Sequence, residues 1–327
     1  MREIGGYIEL DKYTGKLLHE NAVALNCGRN ALAYIIESRS IKKICLPYFL
    51  CSSVKNVCKK YQLQIRYYHI MEDFSPETLN LDDGEWIYIV NYYGQIGEES
   101  IKQYKETYKN IIVDNAQSYF SSQIDNIDTL YTCRKYFGVS DGAFLYTNQE
   151  LKREIPMDES YDRVHYILGR YERNGSEFYG ESVANNHAFT KEPIKKMSKL
   201  TKNLLRAIDY DDVKEKRNMN FSVLNSLLGK TNLLGIKNAD ATFMYPFMCE
   251  NAPEIRKQLQ KKKIYIPVLW PNVLEEVPKE WLEWKYTQNI LPLPIDQRYS
   301  TEDMEYLVEM LEKCMNKNKQ CLTMNRK

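Results

Sequence analysis

The chain has 327 residues, of which 45 are Lys or Arg and 44 are Asp or Glu, so its formal net charge is +1. This length predicts about two domains and a core large enough to need no disulfide or metal. The near-neutral charge argues against a general nucleic-acid or anionic-membrane binder, because both need a basic surface. With 43% hydrophobic and 12% aromatic residues, the chain is not expected to be disordered.

The eight cysteines and four histidines show no spacing typical of a zinc site, so we expect no metal. The first residues lack the apolar core of a signal peptide, and no apolar run approaches the roughly 20 residues that span a bilayer. These patterns predict a cytoplasmic protein whose cysteines are reduced and mostly buried.

Short apolar runs alternate with helical patterns in the first half of the chain. The runs are rich in β-branched and aromatic residues, as strands buried on both faces should be. They are 44–46, 63–68, 86–90, 111–113 and 142–146. Helical spacing of apolar residues occurs between them, at 30–38 and 51–61. This alternation predicts a largely parallel α/β sheet with ligands at the carboxyl ends of its strands.

The second half begins with a charged, Tyr-rich stretch, 149–203, which we interpret as long loops and helices around a site. Strands are then predicted over 243–248 and 264–270, with a helix over 252–262 between them. Farther on, Ser300 and Asp303 have the spacing of a capping box at a helix start. The apolar face of that helix comprises Met304, Leu307, Val308 and Leu311.

The first candidate site segment is Cys27-Gly28-Arg29-Asn30, which stands directly before a helical pattern. A glycine at a helix start lets backbone N–H groups close around an anion. Arg29 adds a guanidinium fork suited to phosphate. Taken alone, the segment also fits an ordinary loop with a solvated arginine.

The second candidate is Asp114, which follows the predicted strand 111–113 and should emerge at the carboxyl edge of the sheet. A carboxylate there can hold a protonated heterocycle nitrogen or a metal. No other metal ligands cluster nearby in the sequence, which disfavours the metal. An aspartate that caps the next helix is the alternative interpretation.

The third candidate is Lys135, which lies between a short apolar run and the predicted strand 142–146. A lysine held among aromatic residues can have a lowered pKa and form a Schiff base. A single lysine is otherwise usually a solvated charge, so its neighbours must decide between the two interpretations.

Together, these three segments resemble the pyridoxal 5'-phosphate (PLP) enzymes of fold type I, and within them the DegT/StrS-type sugar aminotransferase family. In that family a glycine-containing turn binds the cofactor phosphate, an Asp-x-x-Gln/His segment follows, and a Ser-x-x-Lys or similar segment precedes a glycine-rich strand. The matching residues are Gly28-Arg29-Asn30, then Asp114 and Gln117, then Thr132-x-x-Lys135 with Asp141-Gly142-Ala143.

Two distant segments add to the resemblance, which covers most of the chain. Residues 290–297, Ile-Leu-Pro-Leu-Pro-Ile-Asp-Gln, are similar to the closing Leu-Pro-hydrophobic-x-Gln motif of the family. Arg217, Asn220 and Phe221 are similar to the Arg-rich, Asn-aromatic segment that opens its small domain. The resemblance implies a large PLP-binding domain over 1–205, with a mostly parallel sheet flanked by helices. It also implies a smaller α+β domain over 206–327, on which the N-terminal segment can pack.

The resemblance also implies roles for individual residues around the cofactor PLP. Lys135 would form the Schiff base and move a proton between the substrate and the cofactor. Asp114 would keep the pyridine nitrogen protonated. The other implied contacts are Gln117 near the phenolic oxygen of the ring, and Gly28, Arg29, Asn30 and Thr132 around the phosphate.

Two departures from the family pattern concern residues around the cofactor. Arg29 stands where the family often has Thr or Ser. The residue that usually stacks on the PLP ring is aromatic, but counting from Pro47 places Cys51 there. Other candidates to cover the ring are Tyr48, Phe49, Tyr92 and Tyr93.

The implied function is an aminotransferase that moves an amino group from an amino acid to a keto acceptor, for which the resemblance implies a nucleotide-linked sugar. The resemblance implies a homodimer that acts on small molecules. One alternative is a PLP enzyme of another reaction type; however, Lys135 favours transamination, because family dehydratases carry His there. A non-catalytic relative with a binding role is the other alternative, against which the Asp114–Lys135 pair argues.

Overall fold

The computed structural model of the chain describes residues 4–324, so the outermost ends of the two predicted domains lie outside it. Nine strands occur in this range. They are β1 (Val23–Leu25), β2 (Lys43–Pro47), β3 (Gln64–Tyr68), β4 (Glu85–Val90), β5 (Ile111–Asp114), β6 (Asp128–Thr132), β7 (Ala143–Tyr146), β8 (Met244–Met248) and β9 (Ile290–Pro294).

The helices of the described range lie around these strands. They are α1 (Gly28–Arg39), α2 (Ser52–Lys60), α3 (Glu98–Tyr108), α4 (His165–Glu172), α5 (Tyr179–Ala188), α6 (Lys199–Leu205), α7 (Tyr210–Leu228), α8 (Ala252–Lys261), α9 (Val273–Glu276), α10 (Leu282–Asn289) and α11 (Thr301–Met324). The charged stretch 149–203 forms loops and helices, as its sequence predicts.

A seven-stranded sheet forms the centre of the large α/β unit, in the order β1-β7-β6-β5-β4-β2-β3. The pairs from β6 to β3 are parallel, whereas β7 is antiparallel to both of its neighbours. The predicted mostly parallel sheet is therefore confirmed. Residues 44–46 and 111–113 are at most 1% exposed, which explains why their runs are continuously apolar.

A second, smaller sheet pairs β8 with β9 in antiparallel register, with Pro246 opposite Pro292. Helices α7, α8 and α11 pack around it in a separate hydrophobic core. The predicted apolar face of α11 is buried in that core. The capping box is confirmed: the N–H of Ser300 donates to Asp303 Oδ2 at 2.9 Å, and the N–H of Asp303 donates to Ser300 Oγ at 3.3 Å.

The predicted strand over 264–270 is wrong, because this segment is irregular. Pro267 has no N–H to donate to a sheet, and Trp270 has a left-handed φ of 55°. The position beside β8 is occupied instead by β9. Two of its five residues are proline, and a two-stranded sheet tolerates them because both of its strands are edge strands.

After this irregular segment the chain returns to the large core. The indole of Trp270 meets the ring of Phe49 edge-on, with centroids 4.5 Å apart. Val273, Val277 and Tyr286 are also buried among the residues of the large core. No helix in residues 4–324 has both the length and the apolar character needed to cross a membrane. The buried free cysteines of the described part include Cys27, Cys45, Cys58, Cys133 and Cys249, whereas Cys51 is partly exposed, in line with the prediction of reduced and mostly buried cysteines.

Candidate active site

The predicted site residues follow strand ends at one edge of the large sheet. Asp114 is the last residue of β5, and Thr132 is the last residue of β6, three positions before Lys135. Gly28 opens α1, three residues after the end of β1. Because β5 and β6 are parallel, their carboxyl ends lie at the same edge, where α/β sheets bind their ligands.

Helix α1 approaches the end of β6 very closely at Gly28. A Cβ on this residue would lie 2.7 Å from Cγ2 of Thr132, so only glycine fits without displacing that side chain. The hydroxyl oxygen of Thr132 is buried and has no hydrogen-bond partner. The N-cap residue, Cys27, supplies no side-chain hydrogen bond to the first turn of α1. Backbone and hydroxyl donors thus converge on a place suited to an anion.

The side chains of the next two residues are engaged in fixed contacts. Asn30 donates from Nδ2 to Asn26 Oδ1 at 2.9 Å and to the carbonyl of Pro193 at 2.6 Å. Arg29 donates from Nη1 to the carbonyl of Asn186 at 2.9 Å, and from Nη2 to Asn186 Oδ1 at 2.6 Å. Asn30 can therefore offer only its backbone N–H to an anion, while the guanidinium of Arg29 is held by helix α5.

Arg134 lies beside Arg29 and shares its partner. Its two terminal nitrogens donate to Asn186 Oδ1 at 3.5 and 3.4 Å, and its guanidinium lies 4.7 Å from the ring centroid of Phe189. Burial lowers the pKa of Arg134, and the charge of Arg29 acts in the same direction. No carboxylate in the described residues forms a salt bridge with either arginine. Two adjacent cations without a counterion indicate an anion site.

Asp114 is 7% exposed, and both of its carboxylate oxygens accept a hydrogen bond from the protein. The phenol of Tyr88 donates to Oδ2 at 2.8 Å, and the N–H of Ala116 donates to Oδ1 at 2.8 Å. Burial raises the pKa of Asp114 above its ordinary value, while the nearby charge of Lys135 opposes that rise. Asp114 is therefore held rigidly and lies close enough to Lys135 for their charges to interact.

Lys135 is accessible to solvent, although surrounding protein atoms remove part of the water around its ammonium. This desolvation lowers the pKa of Lys135, and the charge of Asp114 opposes the shift. The Nζ atom lies 5.3 Å from the ring centroid of Phe243. A lysine with a lowered pKa has a larger neutral fraction, as a nucleophile or general base requires.

Gln117 links the β5–β6 connection to two other loops. Its Oε1 accepts from the N–H of Tyr93 at 2.8 Å, and its carbonyl accepts from the N–H of Phe243 at 3.0 Å. The hydroxyl of Thr242 donates to the same carbonyl at 3.1 Å. These bonds fix Gln117 near Phe243, the residue whose ring lies close to Lys135 Nζ.

Among the candidates for covering a cofactor ring, Cys51 has the most suitable surroundings. It is partly exposed at the start of α2 and lies close enough to Lys135 for an electrostatic interaction. Tyr48 packs instead against Tyr67, His69 and Trp281. The other aromatic candidates, Phe49, Tyr92 and Tyr93, are each 1% exposed in the large core.

The loop of Lys135 is fastened to the small unit through Tyr136. The fully buried guanidinium of Arg217 lies 4.4 Å from the ring centroid of Tyr136 and donates to Gln297 Oε1 at 3.0 Å. Gln297 in turn donates from Nε2 to the carbonyl of Tyr136 at 2.7 Å. Asn220 donates to the carbonyls of Ile295 and Tyr299. Arg217 and Gln297 thus hold the loop of Lys135 in place.

Comparisons with known proteins address the fold. No protein-family model and no curated protein matches the sequence. Solved structures do match. A DegT DnrJ EryC1 StrS aminotransferase from Brucella abortus is 16% identical, with a TM-score of 0.58 over 89% of this chain and 85% of the other. The sugar aminotransferase CalS13 from Micromonospora echinospora is 14% identical, with a TM-score of 0.61 over 91% and 88%.

A third structure carries a cofactor: NtdA from Bacillus subtilis with bound pyridoxamine phosphate (PMP) is 14% identical, with a TM-score of 0.64 over 90% and 73%. The chain has the aminotransferase fold of type I. This confirms the fold implied by the sequence resemblance. At this level of identity, the roles of individual residues rest on the geometry described above.

The geometry fits the phosphorylated pyridine cofactor of this fold. The unpartnered hydroxyl of Thr132 and the close approach at Gly28 form a small anion cradle at the start of α1. The buried carboxylate of Asp114 suits a protonated ring nitrogen, and Lys135 lies within reach of its charge. These are the donor and acceptor types that a phosphate, a pyridinium and an aldehyde require.

Sequence reasoning missed three residues that the structure brings to this site. Arg134 directly precedes Lys135, so its position alone could have suggested it. Tyr88 lies on a strand that was predicted. Tyr88 and Val90 are two positions apart and therefore share a face of the sheet, and Val90 pairs with Asp114, so Tyr88 could have been placed on the face of Asp114. Asn186 has no such signal, because it is 157 residues away from Arg29 in the chain.

Proposed function

We propose that this chain is a PLP-dependent aminotransferase that moves an amino group from an amino acid donor to a keto acceptor. The observation that carries the proposal is the placement of Lys135 and the buried carboxylate of Asp114, which follow the carboxyl ends of the parallel strands β6 and β5 and are close enough for their charges to interact. The anion cradle at Gly28 and Thr132 supports it, as does the likeness to structures named as aminotransferases.

Each part of the cofactor has a counterpart among the described residues. The first-turn N–H groups of α1 and the hydroxyl of Thr132 would hold the phosphate, with Arg29 and Arg134 supplying positive charge. Asp114 would accept a hydrogen bond from the ring nitrogen. Gln117 would lie on the side of the phenolic oxygen, and Cys51 would cover one face of the ring.

When bound, PLP supplies an electron sink for the electron pair released at the α-carbon of the substrate. The protein's own contribution would be to move a proton: the neutral amine of Lys135 would take it from that carbon and deliver it to the C4′ carbon of the cofactor. Its lowered pKa favours this role because an ammonium group cannot accept a proton. The negative charge of Asp114 favours the protonated ring nitrogen, on which the electron sink depends.

For the acceptor we propose a keto sugar linked to a nucleotide, with glutamate as an amino donor. The support is that CalS13 is named as a sugar aminotransferase and shares this fold. The proposal includes a cytoplasmic homodimer acting on small molecules, with no nucleic-acid or membrane partner. Exposed aromatic residues on the 161–179 segment, Tyr161, Tyr171 and Tyr179, suit a subunit interface. Analytical ultracentrifugation of the purified chain measures the oligomeric state.

The first experiment tests cofactor attachment. Purified protein mixed with PLP should turn yellow, and borohydride reduction followed by peptide mass spectrometry should find a pyridoxyl group on Lys135. Lys135→Ala should lose both signals, whereas Lys102→Ala, on the exposed face of α3, should retain them. Wild-type protein that never takes up PLP would contradict the proposed function.

The second experiment separates transamination from other PLP reactions. Glutamate added to the loaded protein should convert the cofactor to PMP and release 2-oxoglutarate. A keto sugar added next should restore PLP. Failure with every amino donor, in a protein that binds PLP through Lys135, would favour another reaction type.

A further inference from the structure

We infer that Tyr88 is a positioning residue: its phenol keeps the Asp114 carboxylate ionised and oriented toward the ring nitrogen of the cofactor. The inference rests on the proposed function for the identity of the group that Asp114 meets. It goes beyond that proposal by assigning a role to a residue of a neighbouring strand that touches neither cofactor nor substrate.

The sheet register places the two side chains together. Tyr88 pairs with Ile112 and Val90 pairs with Asp114 across the parallel strands β4 and β5. Alternate residues of a strand share a face, so Tyr88 and Asp114 lie on the same face, one diagonal step apart. The Tyr88 hydroxyl reaches Asp114 Oδ2 at 2.8 Å. The contact therefore follows from strand pairing and is fixed by the backbone.

In the hydrogen bond between Tyr88 and Asp114, the phenol is the donor and the carboxylate is the acceptor. Asp114 is buried, and burial favours its neutral form, which could not hold a protonated ring nitrogen. A hydrogen bond donated to the carboxylate favours the ionised form. Tyr88 is 1% exposed, and burial raises the pKa of its phenol well above the ordinary value, so the phenol keeps its proton and remains a donor.

The donor set of Asp114 leaves room for a ligand. Oδ1 takes one bond from the N–H of Ala116, and Oδ2 takes one from Tyr88. A carboxylate oxygen has two lone-pair directions, so each oxygen can still accept from a ring nitrogen. The two protein donors fix the plane of the carboxylate. A ring nitrogen therefore binds to a carboxylate that is already ordered, and no conformational entropy of this side chain is lost on binding.

A purely structural role for Tyr88 is the competing explanation, and the chain offers a matched control for it. Tyr68 is also 1% exposed in the same core, and its hydroxyl donates to the carbonyl of Tyr88 at 2.8 Å. Tyr68→Phe removes an equally buried phenol without touching Asp114. An effect of core packing alone should thus appear in both variants.

The test compares the affinity of the protein for PLP with its affinity for the 1-deaza analogue, which lacks the ring nitrogen. Wild type should prefer PLP. Tyr88→Phe should reduce that preference about tenfold, the size expected for one charged hydrogen bond, whereas Tyr68→Phe should leave it unchanged. In an Asp114→Asn background, Tyr88→Phe should have no further effect on the ratio of the affinities for PLP and for the 1-deaza analogue.

A second variant covers the case in which Tyr88→Phe does not fold. Incorporating 3-fluorotyrosine at position 88 retains the shape of the ring and makes its hydroxyl a stronger donor, so the preference for PLP should increase. An unchanged or reduced preference with this residue, or equal ratios in Tyr88→Phe and Tyr68→Phe, would overturn the inference. Wild-type protein that does not bind PLP would instead overturn the proposed function on which the inference rests.

Discussion

Gly28 and Thr132 approach each other so closely that a Cβ on the glycine would lie 2.7 Å from Cγ2 of the threonine. This approach joins the start of α1 to the end of β6 and forms one side of the anion cradle. Any side chain at position 28 must displace Thr132, whose hydroxyl is the unpartnered donor there.

Gly28→Ala should therefore weaken PLP binding at least tenfold and reduce the free energy of unfolding by about 1–3 kcal/mol, the usual cost of overpacking. Fluorescence titration with PLP and urea denaturation measure the two effects. Gly97→Ala is the control, because Gly97 has no atom within 4 Å of its added Cβ and lies at the start of α3. Equal PLP affinity in Gly28→Ala and Gly97→Ala would show that the cradle at Gly28 does not contribute to binding.

Arg134→Gln should weaken binding of PLP about tenfold, as expected for the loss of a hydrogen bond to a charged group. Binding of pyridoxal, which has no phosphate, should not change. Isothermal titration calorimetry with both compounds gives the comparison. Arg153→Gln is the control, since Arg153 pairs with Glu37 at an exposed position. A similar loss for pyridoxal and PLP would show that Arg134 does not act on the phosphate.

His19 should make the stability of the protein depend on pH. The imidazole is 4% exposed, donates from Nε2 to the carbonyl of Tyr119 at 2.9 Å, and accepts at Nδ1 from the phenol of Tyr146 at 3.2 Å. Burial lowers the pKa of His19 to about 4, against 6.5 in a model peptide. Below pH 6.5 the unfolded chain therefore binds a proton that the folded chain rejects.

Stability should consequently be lost as the pH falls from 6.5 toward 4, and this group contributes roughly 3 kcal/mol over that window. Urea denaturation at several pH values, compared between wild type and His19→Gln, isolates the contribution. His165→Gln is the control, because His165 is exposed. Parallel pH profiles of wild type and His19→Gln would contradict the prediction.

Gln297→Leu should destabilise the protein by about 2–4 kcal/mol, because it leaves the Nε–H of Arg217 and the carbonyl of Tyr136 without partners in a buried place. PLP binding should weaken as well, since the loop of Lys135 loses its attachment. Urea denaturation and PLP titration measure both effects. Gln103→Leu, on the exposed face of α3, should change neither. Weakened binding without destabilisation would place Gln297 in direct contact with the ligand.

The parts of the fold that could be predicted were those with a local physical signal. The runs 44–46 and 111–113 could be recognised because strands buried on both faces are apolar throughout. Asp114 could be placed at the sheet edge because it ends such a run. The segment 264–270 has the same apolar composition but failed to form a strand, because its proline and the left-handed Trp270 interrupt the backbone pattern.

The site could be predicted only where its residues are close in sequence to such elements. Gly28 and Asp114 each lie beside a helix or strand that was predicted, and Lys135 lies seven residues before the predicted strand 142–146. The contact of Asn186 with Arg134 joins residues 52 positions apart, and that of Tyr88 with Asp114 depends on strand order. Single-sequence patterns report neither a long-range partner nor the order of strands in a sheet, so these contacts required the three-dimensional structure.

The contacts of Arg217 and Gln297 with Tyr136, here called the clasp, have a consequence for synthesis in the cell. Both residues that contact Tyr136 come much later in the chain. Gln297 is 161 residues beyond Tyr136, and Arg217 is 80 residues before Gln297. A nascent chain still attached to the ribosome before residue 297 has emerged cannot close this clasp. The loop of Lys135 should therefore reach its final form only after residue 297 has emerged, and the protein should bind its cofactor only after that point.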